Sequence, residues 1–378
     1  MFTHFPIHET EIEIGRIHMR KEEKQLFKAL CKFHSPITNE KLTTFATPTV
    51  LGELFFNRMQ GIAYDVLRKN GLLNKVNREF RNSLAAAYEE NVQKNRSFYK
   101  CVNFLSTVLA CCDFKVAMLK GAYLCAHYPE GYRTCNDVDL LVLPQNVTKM
   151  ANLLKEAGFT QGNIRNGEFV PATRKEIIES KMMRGETIPF VKEVNLPFLK
   201  FFEVDINFSL DYKTGDDKIL TRMLSEAYVR EQNQVSVLTL SEIDFFIHLC
   251  AHLYKEATTM AWIQMNRDMT LYKYCDIYML LSEMSDKMFE KVLRRAKNLG
   301  MERICAYAVL ESMELFDMEN DFIRQMAADV ISNSDFRLKV TSPQHNKHFI
   351  YQTADTNKRF FMKSREKNLK EVEILEKT

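Results

Sequence analysis

The chain has 378 residues, 46% of them hydrophobic and 27% charged, and a formal net charge of +3. This length can bury a sizeable core in two or three structural units, while the twelve glycines argue against collagen-like, linker-rich or all-β architectures. So small a charge requires neither a nucleic-acid nor a membrane partner, no apolar run approaches the ~20 residues of a membrane span, and the nine cysteines form no Cys-x-x-Cys pair of the zinc-ribbon or thioredoxin kind.

Residues 1–15 are acidic and lack the basic and apolar regions of a signal peptide, so a cytoplasmic protein with free thiols is expected. From about Lys21 to Asp113 apolar residues recur at three- and four-residue steps, as in Leu54, Phe55, Met59, Ile62, Ala63, Val66 and Leu67. Residues 1–113 therefore read as an N-terminal helical region with a packing role. At Phe114 the texture changes. Val116 to Leu119 is a short strand-like run stopped by Lys120-Gly121, and Ala122 to Ala126 reads as a helix. Arg133-Thr134-Cys135-Asn136-Asp137-Val138-Asp139 then leads into the apolar Leu140 to Leu143. A helix carrying Val147, Met150, Leu153, Leu154 and Ala157 follows and ends at Gly158.

Between Gln161 and Lys192 the sequence is polar and reads as hairpin and loop. Phe202 to Leu210 alternates: Val204, Ile206 and Phe208 point one way, and Glu203, Asp205, Asn207 and Ser209 the other. From Ser241 helical spacing returns through Ile243, Phe246, Ile247, Cys250 and Leu253, and again through Leu271, Tyr274, Cys275, Tyr278 and Leu281. The tail from Phe336 carries Lys358, Arg359, Lys363, Arg365 and Lys367, diluted by Glu366, Glu371, Glu373 and Glu376. It reads as a mixed-charge helix. The expected fold class is α+β: a helical region (1–113), a small mixed-sheet core (114–240) and a C-terminal helical region (241–378).

Asp137 and Asp139 lie two apart at the head of a strand, so their side chains leave the same face with Cα atoms ~6.5–7 Å apart. Carboxylates at that spacing can hold two divalent ions ~3.5–4 Å apart, the arrangement that clamps an in-line phosphoryl displacement. Oxygen ligands favour Mg²⁺ or Mn²⁺. Asp205, on the polar face of an amphipathic strand, completes a triad if the two strands pair. Such a cluster of like charges makes sense as a cation site. Lys120-Gly121 at a strand-to-helix turn offers backbone N–H groups and an ammonium to phosphate, and Arg133 offers a second positive charge. His248 and His252 stand one helical turn apart without a zincin Glu. They, with Asn207, are candidate acceptor or nucleotide contacts, and Lys273 is a candidate triphosphate contact.

The order Met118-Leu119-Lys120-Gly121, Tyr128, Arg133, Asp137-Val138-Asp139-Leu140-Leu141-Val142, Gly158-Phe159 and Val204-Asp205-Ile206-Asn207-Phe208 resembles the polymerase-β-like nucleotidyltransferase superfamily. It is most similar to a bacterial branch described as uncharacterised nucleotidyltransferase, over roughly Leu54 to Leu281. The resemblance implies metal ligands at Asp137 and Asp139, a third carboxylate at Asp205 and a phosphate contact at Gly121. Ala122 stands where many members carry Ser or Gly, and Asn207 where close relatives often carry His. The implied reaction moves an NMP from an NTP to an acceptor hydroxyl or phosphate and releases pyrophosphate. The acceptor is expected to be a small molecule, a peptide or a protein rather than a nucleic acid, because no basic-aromatic platform is visible. Two rivals are weighed. An Asp-x-Asp glycosyltransferase needs a nucleotide-binding α/β unit before the motif, where this chain is helical. A non-catalytic nucleotide-binding module is favoured by a broken acidic triad, and this triad is complete.

Overall fold

A computed structural model describes residues 19–184, 186–210, 217–232, 235–331 and 335–373. The acidic start at residues 1–15 and Glu376 of the tail lie outside the described residues. The helices are α1 (Lys21–Cys31), α2 (Pro48–Phe56), α3 (Gln60–Lys69), α4 (Arg78–Leu109), α5 (Gly121–His127), α6 (Val147–Glu156), α7 (Arg174–Arg184) and α8 (Asp217–Ser225). After them come α9 (Glu242–Ala257), α10 (Met260–Gln264), α11 (Leu271–Glu283), α12 (Asp286–Asn298), α13 (Glu302–Leu315), α14 (Asp321–Val330) and α15 (Thr356–Phe360). The strands are β1 (Val116–Met118), β2 (Asp137–Val142), β3 (Thr160–Arg165), β4 (Glu168–Pro171), β5 (Phe190–Leu196), β6 (Leu199–Asn207), β7 (Tyr228–Gln232), β8 (Val235–Thr239), β9 (Lys339–Ser342), β10 (Lys347–Tyr351) and β11 (Leu369–Val372). No described helix is long and apolar enough to cross a membrane.

Eight strands make one mixed sheet in the order β4-β3-β5-β6-β2-β1-β8-β7. The β2–β6 and β1–β8 pairs are parallel and the others antiparallel. The fold is thus the expected α+β class, with helices on both sides of a mixed sheet. The long helix α4 holds the assembly together. Asn77 caps it by accepting from the Phe80 N–H at 2.9 Å. Its buried residues Phe98, Cys101, Val102, Leu105 and Leu109 follow three- and four-residue steps and pack, with α5 and α6, on one face of the sheet. The other face joins a larger core shared with α9, α11 and α13.

Two readings of the chain are corrected. The stretch between Gln161 and Lys192 holds the β3–β4 hairpin but also the helix α7, which has a weak apolar stripe. The tail is not a mixed-charge helix: β9, β10 and β11 form a separate three-stranded antiparallel sheet. Two of the tail's cations are buried rather than solvated. Arg359 bonds Glu311 of α13 at 2.7 Å and Arg365 bonds Asp268 at 2.7 Å. All four side chains are essentially inaccessible. These ion pairs pin the tail to α13 and to the segment before α11.

Candidate active site

Register builds the site. Across the parallel β2–β6 pair, Asp137 lies opposite Glu203 and Asp139 opposite Asp205. Val138, Leu140 and Val142, together with Phe202, Val204 and Ile206, are buried against α4 and α6. Side chains alternate along a strand, so Asp137, Asp139, Glu203, Asp205 and Asn207 share the opposite face. At the backbone, the four carboxyl-bearing positions span about 7 Å along the strand and 5 Å across it. An isolated bridge between Glu186 and Asn207 brings a fifth carboxylate to the edge.

These charges are unevenly compensated. Lys120 Nζ lies 3.0 Å from Asp139 Oδ1, and Asn207 Nδ2 donates to the same oxygen at 3.0 Å. Burial pushes the Asp139 carboxyl up, but Lys120 and then Asn207 outweigh it and hold the group below the ordinary aspartate range. Asp205 has no such help. Burial first, then the charges of Asp139 and Asp137, push its carboxyl well above the ordinary range. No described donor reaches Asp205 or Asp137. Glu203 is raised in the same way, by burial and by Asp137.

An all-oxygen donor set carrying excess negative charge on one face suits a hard divalent cation. Among the described residues no three His, Cys, Asp or Glu side chains already converge on a common metal position. Asp139 Oδ1 is turned instead towards Lys120 and Asn207. The residues fit Mg²⁺ or Mn²⁺ in donor chemistry and in strand register, and Lys120 competes with a cation for Asp139.

The turn that carries Lys120 is strained. Lys120 sits at φ 41° and ψ −108° as the cap residue of α5, a backbone region that costs a non-glycine residue about 1–3 kcal/mol and tends to mark functional positions. The adjacent Gly121 has a packing reason to be glycine. A Cβ built there would overlap Cys135 Sγ and lie 2.9 Å from Cys135 Cβ. Gly121 therefore lets α5 pack on the segment that delivers Asp137.

The remaining candidates divide. Arg133 is committed to a buried pair with Asp276 of α11 (Nε–Oδ1 3.2 Å), where Tyr128 Oη also donates at 3.1 Å. Its guanidinium lies 4.8 Å from the Tyr272 ring centre and donates to Cys135 Sγ at 3.2 Å. Lys273 is likewise engaged: it pairs with Glu256, donates to the Arg267 carbonyl at 3.1 Å and faces Trp262. His252 Nε2 contacts Glu256 at 3.4 Å. His252 is held neutral, since burial and then the positive charge of Lys120 push it well below the ordinary histidine range, so that contact is not an ion pair.

His248 differs from these. It is 6% exposed, and neither ring nitrogen has a partner among the described residues. Burial, then Lys120, lower its pKa to about 3. Asp139 acts on it in the opposite sense, so the ring stands close to the acid face as a neutral imidazole. A buried polar group left without a partner costs about 1–3 kcal/mol.

Glu203 and Glu186 were not singled out from the sequence. The signal for Glu203 was present, since it sits two before Asp205 on the same polar strand face. Glu186 carries no comparable signal, because its place depends on a bridge formed after α7.

A family model described as "Uncharacterised nucleotidyltransferase" matches residues 48–317, from the first residue of α2 to just beyond α13. No protein with curated annotation matches the chain. The chain belongs to this nucleotidyltransferase family.

Proposed function

We propose that this family member is a metal-dependent nucleotidyltransferase of the polymerase-β-like type, moving an NMP from an NTP to an acceptor hydroxyl or phosphate and releasing pyrophosphate. The observation that carries the reading is the β2–β6 register, which sets Asp137 and Asp139 beside Glu203 and Asp205 on one face. Asp137, Asp139 and Asp205 would hold Mg²⁺ or Mn²⁺, which would supply charge stabilisation at the attacking and leaving oxygens. Lys120 guards Asp139 until the nucleotide arrives, and its ammonium is then free for the phosphates. Asp205, whose raised pKa makes its ionised carboxylate a stronger base than an ordinary aspartate, is suited to accept the acceptor's proton. His248 offers a neutral nitrogen pair to a bound ligand, and Asn207 orients Asp139. The Lys120–Gly121 turn would meet the phosphates in this reading, whereas Arg133 and Lys273 would support the site through their pairs with Asp276 and Glu256.

The acceptor in this reading is a small molecule, a peptide or a protein. In support, two of the tail's cations, Arg359 and Arg365, are spent on buried carboxylates and cannot form a phosphate-tracking surface.

The test supplies each of the four NTPs, labelled at the α- or γ-phosphate, with Mg²⁺ or Mn²⁺. Label from the α-position should appear on an acceptor or as NMP, and γ-label as pyrophosphate. Asp137→Asn and Asp139→Asn should each abolish both signals in a folded protein. Wild-type turnover in both variants, or γ-label released as orthophosphate, would overturn the proposal.

A further inference from the structure

The cations that surround the acid face nearly all have a carboxylate of their own. Lys120 has Asp139, Arg133 has Asp276 and Lys273 has Glu256. Arg58 and Lys94 do not: neither makes a hydrogen bond or an ion pair with any described residue. We propose that Arg58 and Lys94, two cations from the N-terminal helices, form the receptor for the pyrophosphate end of the nucleotide donor. This inference rests on the nucleotidyltransferase reading and adds a subsite outside its sequence motifs.

Both residues are held in place. Arg58 stands in the turn between α2 and α3 at φ 56°, and the preceding Asn57 accepts from the Leu271 N–H at 2.9 Å, which fixes that turn to the start of α11. Arg58 lies 4.9 Å from the Tyr272 ring centre, the ring that also meets Arg133 at 4.8 Å. Arg133 in turn donates to Cys135, two residues before Asp137. Lys94 lies on α4 between Asn91 and Asn95. Asn91 donates to the Gly131 carbonyl at 3.0 Å and Asn95 to the Arg133 carbonyl at 2.7 Å. The helix thus grips the loop leading to Asp137 on either side of Lys94.

Lys94 is half-buried and makes no ion pair with any described residue. Burial is the main cause that lowers its pKa and the nearby Arg58 pushes the same way; Cys135 and Glu90 oppose them without reversing the shift, and neither makes an ion pair with it. Two like charges that repel one another, one of them partly desolvated, are costly unless an anion joins them. A group with at least two negative charges is needed to satisfy both. Guanidinium and ammonium together match phosphate oxygens, the first by its planar fork and the second as a point charge. Pyrophosphate has that charge, and it is the part of an NTP that stays negative as the α-phosphorus is transferred.

The experiment titrates inorganic pyrophosphate, an NTP and the matching NMP, with Mg²⁺, into the full chain by calorimetry. It uses the wild type, Lys94→Met, Arg58→Asn (a residue that tolerates the left-handed turn) and the double variant. Pyrophosphate and NTP affinity should fall about tenfold per lost cation, NMP affinity should stay, and the salt dependence of binding should weaken. Lys94→Met should melt no lower than the wild type, because it removes an unpaired half-buried charge. Lys94→Arg should retain the affinity, so a loss there as well overturns the role of charge. Unchanged pyrophosphate affinity in the double variant, or an equal loss for NMP, overturns the subsite while leaving the nucleotidyltransferase reading intact. A wild type that binds neither NTP nor pyrophosphate overturns both.

Discussion

If Asp205 is kept for a cation rather than for the fold, Asp205→Asn should make the metal-free protein more stable while abolishing transfer. Asp205 and Asp139 sit on paired positions of neighbouring strands, so their charges stand about 5 Å apart and repel by about 3 kcal/mol at an effective dielectric constant near 20. Lys120 offsets part of this, leaving an expected gain of about 1–3 kcal/mol for the isosteric amide, or roughly 1–4 °C in melting temperature for a chain of this length. The pH dependence has a definite sign. The folded carboxyl of Asp205 is raised above its unfolded value near 3.9. Its ionised form therefore costs stability at every pH above the folded value, and the cost disappears below about pH 4. The advantage of Asp205→Asn should be full at alkaline pH and vanish in acid. Mg²⁺ or Mn²⁺ should reverse the order, because a ligand at 100 times its Kd stabilises the wild type by about 2.7 kcal/mol and the variant by less. Urea unfolding in chelator and in excess metal, across pH 4–9, reads all of this. A variant less stable than the wild type at pH 8 in chelator would show Asp205 to be a partnered structural acid and refute the reasoning.

Lys120→Met leaves buried Asp139 with Asn207 alone and should cost about 1.5–3 kcal/mol without metal. Because the Asp139 carboxyl is depressed, that deficit should be present above about pH 4 and close as pH falls through the folded value. Mn²⁺ titrated by electron paramagnetic resonance should bind this variant more tightly than the wild type, since a competing cation is gone. Gly121→Ala should cost about 1–3 kcal/mol by overpacking against Cys135, and Cys135→Ala should recover at least about 1 kcal/mol of it in a double-mutant cycle; strictly additive losses would contradict the contact. Arg365→Met should cost about 3–5 kcal/mol by leaving Asp268 buried and unpaired, whereas Lys367→Met on the exposed tail should fall within about 0.5 kcal/mol of the wild type in the same denaturation assay.

How much of this was legible in the sequence depends on whether local pattern or tertiary pairing decides each feature. Asp137 and Asp139 could be assigned to one face because a two-residue step fixes it, and Asp205 because its strand alternates without interruption. Neither argument could supply the register, which joins β2 to β6 across the whole β3–β5 insertion. Glu203 was visible two before Asp205 on the same polar face, but its weight came only with Asp137 found opposite it. Gly121 was legible as a turn residue, but its close approach to Cys135 was not, since nothing local links positions 121 and 135. The tail misled because period-blind charge counting cannot distinguish a solvated Arg from one buried on Glu311 or Asp268. Lys273 and Arg133 have the right charge in the right region, and only the structure reveals that each already has a carboxylate partner.

The groups left without partners are the ones that single the site out. Among the described residues, buried carboxylates elsewhere have cations of their own: Glu311 has Arg359, Asp268 has Arg365 and Asp244 has Arg295. Around the acid face the matching stops on both signs. Among the described residues Asp137 and Asp205 find no donors, Arg58 and Lys94 find no acceptors, and neither nitrogen of His248 has a partner. A packing defect would leave one sign unsatisfied and would relax by drawing the free acids and cations together. Here the two sets are fixed apart by rigid elements, the acids on paired strands and the cations on α4 and on a turn anchored to α11. A ligand that satisfies both must present positive charge to the sheet and negative charge to the helices. A divalent ion bound to a nucleoside triphosphate has that polarity, and neither component alone does. The expectation is therefore that metal and nucleotide bind with positive cooperativity, each raising the affinity for the other by the same factor. Titration of Mn²⁺ with and without a non-hydrolysable NTP measures that factor. A value near one would mean that the acids and the cations serve two separate ligands.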